Sequence, residues 1–475
     1  MAAPFAALVN ILRCPACRAP LDYRPAPQPS GGEYGVLRCP CAAYPVVDGV
    51  PILLEHDVPI RSIADARRVD DGPRVDRLVA LVEAGDGREA LVDLLSVPIC
   101  PWPLNRLGAA RALSLRTPVR GATLAARRRR IRRMLDCADA LTAEDWMAAL
   151  YLHAPIPFDP FTYFFFRFGQ PRHLAALALL PILTEAALRG PVLDLACGYG
   201  HGLHALAAHG VPDAIGLDQN LHQLWVARTF IAPGAHVVCA DARRPLPFAD
   251  AALSGVVCAD AFHYIEAPEP LVAEIQRCAP EGPFVIARTG NRLVGPQEGY
   301  ERSPEEYAAL LAPWRVAVVG EGALLDGYLD HRWADLSDAE APSRTEADAW
   351  LSFVSTPDGG LFRDHGQFES WPHAAGPLRL NPVYACRPSG TGLDLSFRWP
   401  SPWYAHENRG METYHAATAH IDANTLRALP LGVHDEAGGA LADRFLALGL
   451  PERYARPTGR PLAARAMRHL TPLLS

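Results

Sequence analysis

The chain has 475 residues, 49% of them apolar and 20% charged, enough for two to four globular domains and a sizeable core without staples. Its formal net charge of −7 weighs against a duplex nucleic-acid binder, a class that carries a basic surplus. All 45 basic residues are arginine, so a lysine nucleophile or a lysine Schiff base is excluded.

Met1 to Leu12 lacks the basic start and apolar stretch of a secretory signal. No run approaches the ~18 apolar residues of a membrane span. Eleven cysteines, an odd number spread along a long chain, are better read as metal ligands or reduced thiols than as disulfides. The expectation is a cytoplasmic protein with no membrane contact.

Residues 1–56 hold two close cysteine pairs in a strand-and-turn pattern. Cys14-Pro-Ala-Cys17 and Cys39-Pro-Cys41 are separated by 21 residues, and Pro25 to Gly32 between them is a turn-rich loop. Two thiolate pairs on two hairpins suit tetrahedral zinc. Tyr44-Pro-Val-Val-Asp-Gly-Val-Pro51 follows. This stretch resembles the zinc-ribbon proteins that partner and activate methyltransferases of tRNA and translation factors. The resemblance implies a structural zinc on Cys14, Cys17, Cys39 and Cys41. It departs at the second pair, where C-x-C stands in place of C-x-x-C; a shorter loop predicts a displaced or replaced ligand, or a metal-free remnant.

Residues 57–185 read mainly helical. The run Arg127 to Arg133 is expected on an exposed helix face, with Leu124, Ile131 and Leu135 turned inward. The segment Phe158 to Phe168 holds six phenylalanines and Tyr163. It predicts either a helix seated in a core or a lid over a ligand, with Arg167 reaching a carboxylate.

Residues 186–325 alternate short apolar runs with helical stretches, the pattern of a parallel sheet with crossovers. Val192 to Leu195 reads as a buried strand that runs into Gly198-x-Gly200, with a helix from about Gly202. Such a turn brings backbone close to a ligand at a helix start. Ala214 to Leu217 ends at Asp218, 24 residues past Asp194, near the offset of a ribose-binding acid. His236 to Ala240 ends at Asp241, then Leu246-Pro247-Phe248 precedes a fourth strand, Leu253 to Cys258, ending at Asp260. Aspartates at the carboxyl edge of one sheet build a ligand crevice.

These residues resemble the class I S-adenosylmethionine-dependent methyltransferases of the small-molecule type, over about 130 residues. Asp194, Cys197, Gly198 and Gly200 match the D-x-x-C-G-x-G motif, with Ala196 in place of its usual glycine. The resemblance implies a Rossmann-like α/β sheet with helices on both faces and S-adenosylmethionine as cofactor. It assigns the ribose to Asp218 with Gln219 beside it, the adenine to Asp241 and Ala242, and a place in the cofactor crevice to Asp260. A nicotinamide fingerprint fits poorly, because Gly198-x-Gly200-x-Gly202 has the wrong third spacing.

His263, in Asp260-Ala-Phe-His-Tyr264, is the candidate general base, with Tyr264 a weaker one; packing over the cofactor is the alternative. A nucleobase amino-methyltransferase would show N/D-P-P-Y here. Asn381-Pro-Val-Tyr384 lies too late and is expected to open a strand, Val383 to Cys386, paired with Leu393 to Phe397. Residues 326–475 are expected to complete the sheet as a C-terminal α+β extension and to shape the acceptor pocket, with Trp399 to Asn408 as a candidate wall. The expected partner is a small-molecule acceptor. An RNA- or translation-linked methyltransferase and a non-catalytic cofactor-binding scaffold are the competing readings.

Overall fold

The computed structural model describes residues 5–27, 32–58, 60–62, 65–69, 73–96, 118–151, 160–211, 213–295, 297, 299–339, 345–429 and 436–455. The chain divides into two compact units. The first comprises Met1–Val58, Pro73–Ala90 and Arg172–Pro372, and the second Pro59–Gly72, Leu91–Pro171 and His373–Ser475.

The first unit opens with helix α1 (Phe5–Ile11) and an antiparallel sheet of β1 (Asp22–Pro25), β2 (Gly35–Arg38), β3 (Ala43–Val47) and β4 (Val50–Pro51). Asp48 and Gly49 join the last two strands with φ of 48° and 74°, the doubly left-handed pair that a tight hairpin turn requires. Its main sheet has seven strands: β5 (Val192–Leu195), β6 (Ile215–Asp218), β7 (His236–Cys239), β8 (Gly255–Ala259), β9 (Phe284–Gly290), β10 (Arg315–Gly320) and β11 (Trp350–Thr356). They lie in the order β10-β11-β9-β8-β5-β6-β7, and β11 runs opposite to the other six. Nearly every residue of β5, β6 and β9 is buried, as expected of strands covered on both faces. The chain leaves β5 toward β6 and β7, then returns to lay β8 and β9 on the other side. That reversal opens a crevice at the carboxyl ends of β5 and β8.

The amino-terminal sheet shares a core with the main one. Leu8, Leu12, Leu37, Tyr44 and Leu53 pack in one buried cluster with Leu217, Val238, Leu246 and Phe248. The backbone joins them as well: Ile52 bridges Cys239 in parallel register, and Leu12 bridges Phe248 antiparallel. A sheet edge that would otherwise present unpaired groups is thereby covered within the same chain.

In the second unit, Pro118–Asp136 is one helix. Ile131 is buried and Leu135 half-buried as expected, but Leu124 is 39% exposed. The arginine run also departs from a purely solvated face. Arg127 Nε donates to the Ser96 carbonyl at 2.9 Å, and Arg128 pairs with Asp93 at 2.6 Å. Arginines with long apolar stems take inward positions there, and Leu124 is left outside. Burial lowers Arg127 to about 10. Residues 57–185 also contain a hairpin, Ile60–Ser62 with Asp65–Val69, within a stretch read as helical. Its short sequence, with charges at Arg61, Asp65, Arg67 and Arg68, offers no apolar face of helical period. No helix among the described residues is long and apolar enough to cross a membrane.

Candidate active site

The glycine turn lies at the end of β5. Ala196, Gly198 and Gly200 have φ of 58°, 52° and 76° before helix α2 (His201–Ala208) begins. Ala196 carries a side chain in the left-handed region, which costs an L-residue about 1–2 kcal/mol. At Gly202 an added Cβ would lie 2.6 Å from Asp194 Oδ2. The missing side chain lets the Asp194 carboxylate, 3% exposed, sit under the first turn of α2, where the helix dipole favours a negative charge.

Along the carboxyl edge the burial pattern changes. The strands are buried, whereas Ala196 to Gly198, Gln219 and Asn220, Asp241 and Ala242, and Asp260 and Ala261 are half-exposed and line the crevice. Asp218 Oδ2 accepts the Gly198 N–H at 3.0 Å, and Oδ1 accepts the Asn220 N–H at 2.8 Å and its amide at 3.1 Å. Burial raises the Asp218 pKa against the opposing pull of these hydrogen bonds. Each oxygen keeps lone-pair capacity for a hydroxyl. Beside it, Gln219 Oε1 and Asn220 Oδ1 are buried without a hydrogen-bond partner. Two orphaned acceptors, an anchored carboxylate and a glycine turn fit a ribose-bearing cofactor. Asp241 accepts the Arg243 N–H at 3.0 Å and its guanidinium at 2.9 and 2.6 Å.

The Leu246-Pro247-Phe248 segment is held at every backbone polar group it offers. Helix α3 (Glu269–Cys278) supplies Glu274, which accepts the Leu246 N–H at 3.0 Å, and Arg277, which donates to the Leu246 and Phe248 carbonyls at 3.2 and 2.9 Å. The Phe248 N–H donates to the Leu246 carbonyl at 2.8 Å. The amino-terminal segment completes the set. Arg13 N–H donates to the Pro247 carbonyl at 3.0 Å, and Ala249 N–H to the Ile11 carbonyl at 2.8 Å. Sequence reasoning found the motif but not its holders.

The other side of the crevice is built on strained backbone. Asp260 and Arg288 have φ of 57° and 62°, and the β9–β11 register shifts between Ile286 and Thr289. A bulge of this kind re-aims a side chain. Arg288 pairs with Asp260, donates from Nε to Glu321 at 2.9 Å and lies 3.4 Å over the Trp350 ring. Arg172 comes within 3.6 Å of the other Asp260 oxygen. His263 is 1% exposed, packs against Tyr264 and Trp350, and has no partner for either ring nitrogen. Burial lowers its pKa to about 4, with Asp260 opposing and Arg288 adding to the shift, so the ring is neutral at pH 7. Arg172, Arg288 and Trp350 were not singled out from the sequence. An arginine at the end of an otherwise apolar run, Phe284 to Ala287, was the available signal.

The four amino-terminal thiols converge despite the short second pair. Cys14 and Cys41, Cys17 and Cys39, and Cys39 and Cys41 stand 3.6, 3.7 and 3.5 Å apart. All four Sγ atoms lie within 4.8 Å of one another. Zinc–sulfur bonds of ~2.3 Å give a tetrahedron edge of ~3.8 Å, so the set fits zinc without a replacement ligand. Burial pushes the Cys14 thiol up, but hydrogen bonds from the Tyr44 hydroxyl and the Cys17 N–H bring it to about 6. The neighbouring thiols push Cys41 up, so a full set of thiolates calls for a cation among them.

The aromatic candidates belong to the second unit. Phe165 stacks on Tyr454 at 5.2 Å and Phe166 meets Tyr404 edge-on, the packing of a core. Arg167 donates to the Tyr163 hydroxyl at 2.9 Å, and Phe158 lies outside the described residues. Trp399 packs on Phe397 and Tyr404. Asn381 caps a turn through the Val383 N–H before Tyr384–Pro388 pairs with Gly392–Phe397, the expected hairpin.

Residues 193–286 match the family described as methyltransferase domain. A UPF0434 protein of Methylobacillus flagellatus is 40% identical over 53 residues, covering 11% of this chain and 78% of that protein. Among solved structures, a complex between the Haloferax volcanii Trm112 methyltransferase activator and a methyltransferase aligns at 22% identity, with TM-score 0.27, over 37% of this chain and 89% of that one. Geranyl diphosphate C-methyltransferase from Streptomyces coelicolor aligns at 14%, with TM-score 0.26, over 36% of this chain and 70% of that one. The methyltransferase match runs from β5 into β9 and takes in the aspartates at the strand ends, so the chain carries a class I S-adenosylmethionine-dependent methyltransferase domain, with a UPF0434-type domain at its amino end.

Proposed function

We propose that this methyltransferase acts on an oxygen or nitrogen of a small-molecule acceptor. His263 carries the reading: a buried, neutral ring with two unsatisfied nitrogens, walled by Tyr264 and Trp350 beside the Asp260 end of β8. Such a site suits an isolated polar group that enters and satisfies the imidazole. It also lacks the N/D-P-P-Y residues of a nucleobase amino-methyltransferase.

S-adenosylmethionine supplies an electrophilic methyl group on a sulfonium. The chain's part is to hold and align. Asp218 would accept the ribose hydroxyls with Gln219 beside it, Asp241 and Ala242 would take the adenine, and the Ala196 to Gly200 turn, supported by Asp194, would receive the amino-acid end. Asp260, held by Arg288 and Arg172, sets the floor of the acceptor side. His263 orients the acceptor through a hydrogen bond, since burial disfavours the imidazolium that general-base work would create. Cys14, Cys17, Cys39 and Cys41 would hold one structural zinc.

Untargeted metabolite comparison between cells with and without the gene should show a species differing by one methyl group. Salt-sensitive methyl incorporation into RNA, with no such metabolite, would overturn the small-molecule reading. With the acceptor in hand, His263→Ala should lose mostly binding. A loss of about 10²–10⁴-fold in turnover, together with loss of a rate limb in the pH profile, would instead make His263 a base. Elemental analysis after gentle purification should find one zinc per chain; none would mark a metal-free remnant.

A further inference from the structure

We propose that Arg18 and Glu274 are a positioning pair through which the cysteine knuckle sets the loop that receives the adenine. The proposal rests on the cofactor reading above and adds to it a dependence on the amino-terminal domain.

Arg18 is the residue after Cys17 and closes the knuckle, its N–H donating to the Cys14 carbonyl at 2.8 Å. It does so with φ of 60°, a conformation a non-glycine residue holds only when its surroundings impose it. From this turn its guanidinium grips both oxygens of Glu274, Nη2 to Oε1 at 2.6 Å and Nη1 to Oε2 at 3.3 Å. The Glu274 carboxylate is mostly buried, and its Oε2 accepts the Leu246 N–H. Leu246 lies five residues after Asp241. At the other end of the same loop, the Leu53 N–H donates to the Cys239 carbonyl at 2.8 Å, two residues before Asp241.

The stretch 240–245 is therefore a short span between two anchors, one set by the amino-terminal strands and one reached from the knuckle through Arg18 and Glu274. A loop fixed at both ends before binding spares the cofactor the entropy of ordering it. Without Arg18, Glu274 keeps Arg277 alone as an ionic partner among the described residues, and Arg277 is shared with Asp250 and two carbonyls. The carboxylate then holds Leu246 less firmly. Among the described residues Arg18 bonds to Cys14 and Glu274 and to no residue of the crevice, so it acts on affinity through Glu274.

The test uses the full-length, metal-replete chain and S-adenosylhomocysteine as probe in calorimetric titration. Arg18→Ala should weaken binding about three- to five-fold, the range for a half-exposed ion pair, with zinc content unchanged. Arg18→Lys, which keeps the charge, should fall between that variant and wild type. Arg302→Ala, which breaks the exposed pair with Glu269 on the same helix, should bind as wild type does. Hydrogen exchange supplies a readout that needs no ligand: the amides of 242–246 should exchange faster in Arg18→Ala while those of β5 and β6 hold. Wild-type affinity and exchange in Arg18→Ala, or an Arg18→Lys variant no better than Arg18→Ala, overturns the pair. Failure of the wild-type protein to bind the probe, with faster 242–246 exchange in Arg18→Ala, overturns the cofactor reading and leaves the pair standing.

Discussion

The two sides of the crevice are built differently. On the side proposed for the adenine, the loop from Asp241 to Ala249 is tied down by Glu274, Arg277, Arg13 and Ile11, and every peptide group of Leu246 to Phe248 finds a partner within the protein. On the side proposed for the acceptor, Asp260 and Arg288 hold left-handed backbone, and His263 is buried with neither nitrogen satisfied. The loop of the first side is held in place without a ligand, and only Gln219 Oε1 and Asn220 Oδ1 beside Asp218 stay unsatisfied there among the described residues. The second stores strain and an unmet hydrogen bond, both of which an acceptor can relieve. On the proposed assignment, the part of the site that meets the common cofactor is pre-formed and the part that meets the acceptor is left open.

The largest effect expected on this contrast lies in acid. His263 has a folded pKa of about 4, below its usual 6.5. The folded state therefore disfavours the charged ring, and this contribution is complete above pH 6.5 and lost as pH falls from 6.5 through 4. At its limit it is worth about 3 kcal/mol. Denaturant unfolding across that window should show wild type losing stability faster than His263→Gln; parallel curves would mean the ring is hydrated. The comparison between variants matters because burial also lowers His415 to about 4, and that group titrates in both proteins.

On the adenine side, Asp218→Ala removes a carboxylate already oriented by Gly198 and Asn220. Cofactor binding should weaken by about 1.5–3 kcal/mol, the worth of charge-assisted hydrogen bonds. Calorimetry giving wild-type affinity would remove Asp218 from the site. The smallest effect concerns the turn between the two sides. Ala196→Gly should raise unfolding stability by about 0.5–1 kcal/mol, because relief of the left-handed strain exceeds the entropy glycine adds to the unfolded chain. A destabilised variant would show that the Ala196 methyl packs usefully.

The legible parts of this site are those where backbone geometry dictates residue type. Gly198 and Gly200 sit at positive φ, Gly202 makes room for Asp194, and Asp218 and Asp241 follow apolar strands of regular spacing. Each is a local requirement, so it leaves a local mark. The thiols show the limit of that logic. The spacing Cys39-Pro-Cys41 left open whether all four cysteines could act as ligands, and the hairpin from Gly35 to Val47 brings both sulfurs to Cys14 and Cys17. Leu124 was placed inward by helical period, but Arg127 and Arg128 have partners on a neighbouring helix that no period encodes.

Sequence alone determined the class I fold, the glycine turn and the order of acidic residues along the sheet, because strand period, turn chemistry and motif spacing act over a few residues. Only the tertiary structure decided which residues meet across the crevice. Arg172, Arg288, Trp350 and Glu321 come from four separate segments, and Arg18 and Glu274 are 256 residues apart. An ion pair or a stacked guanidinium depends on where the chain returns in space, and arginine, the only basic residue type in this chain, gives no sign of which of its 45 copies will be brought there.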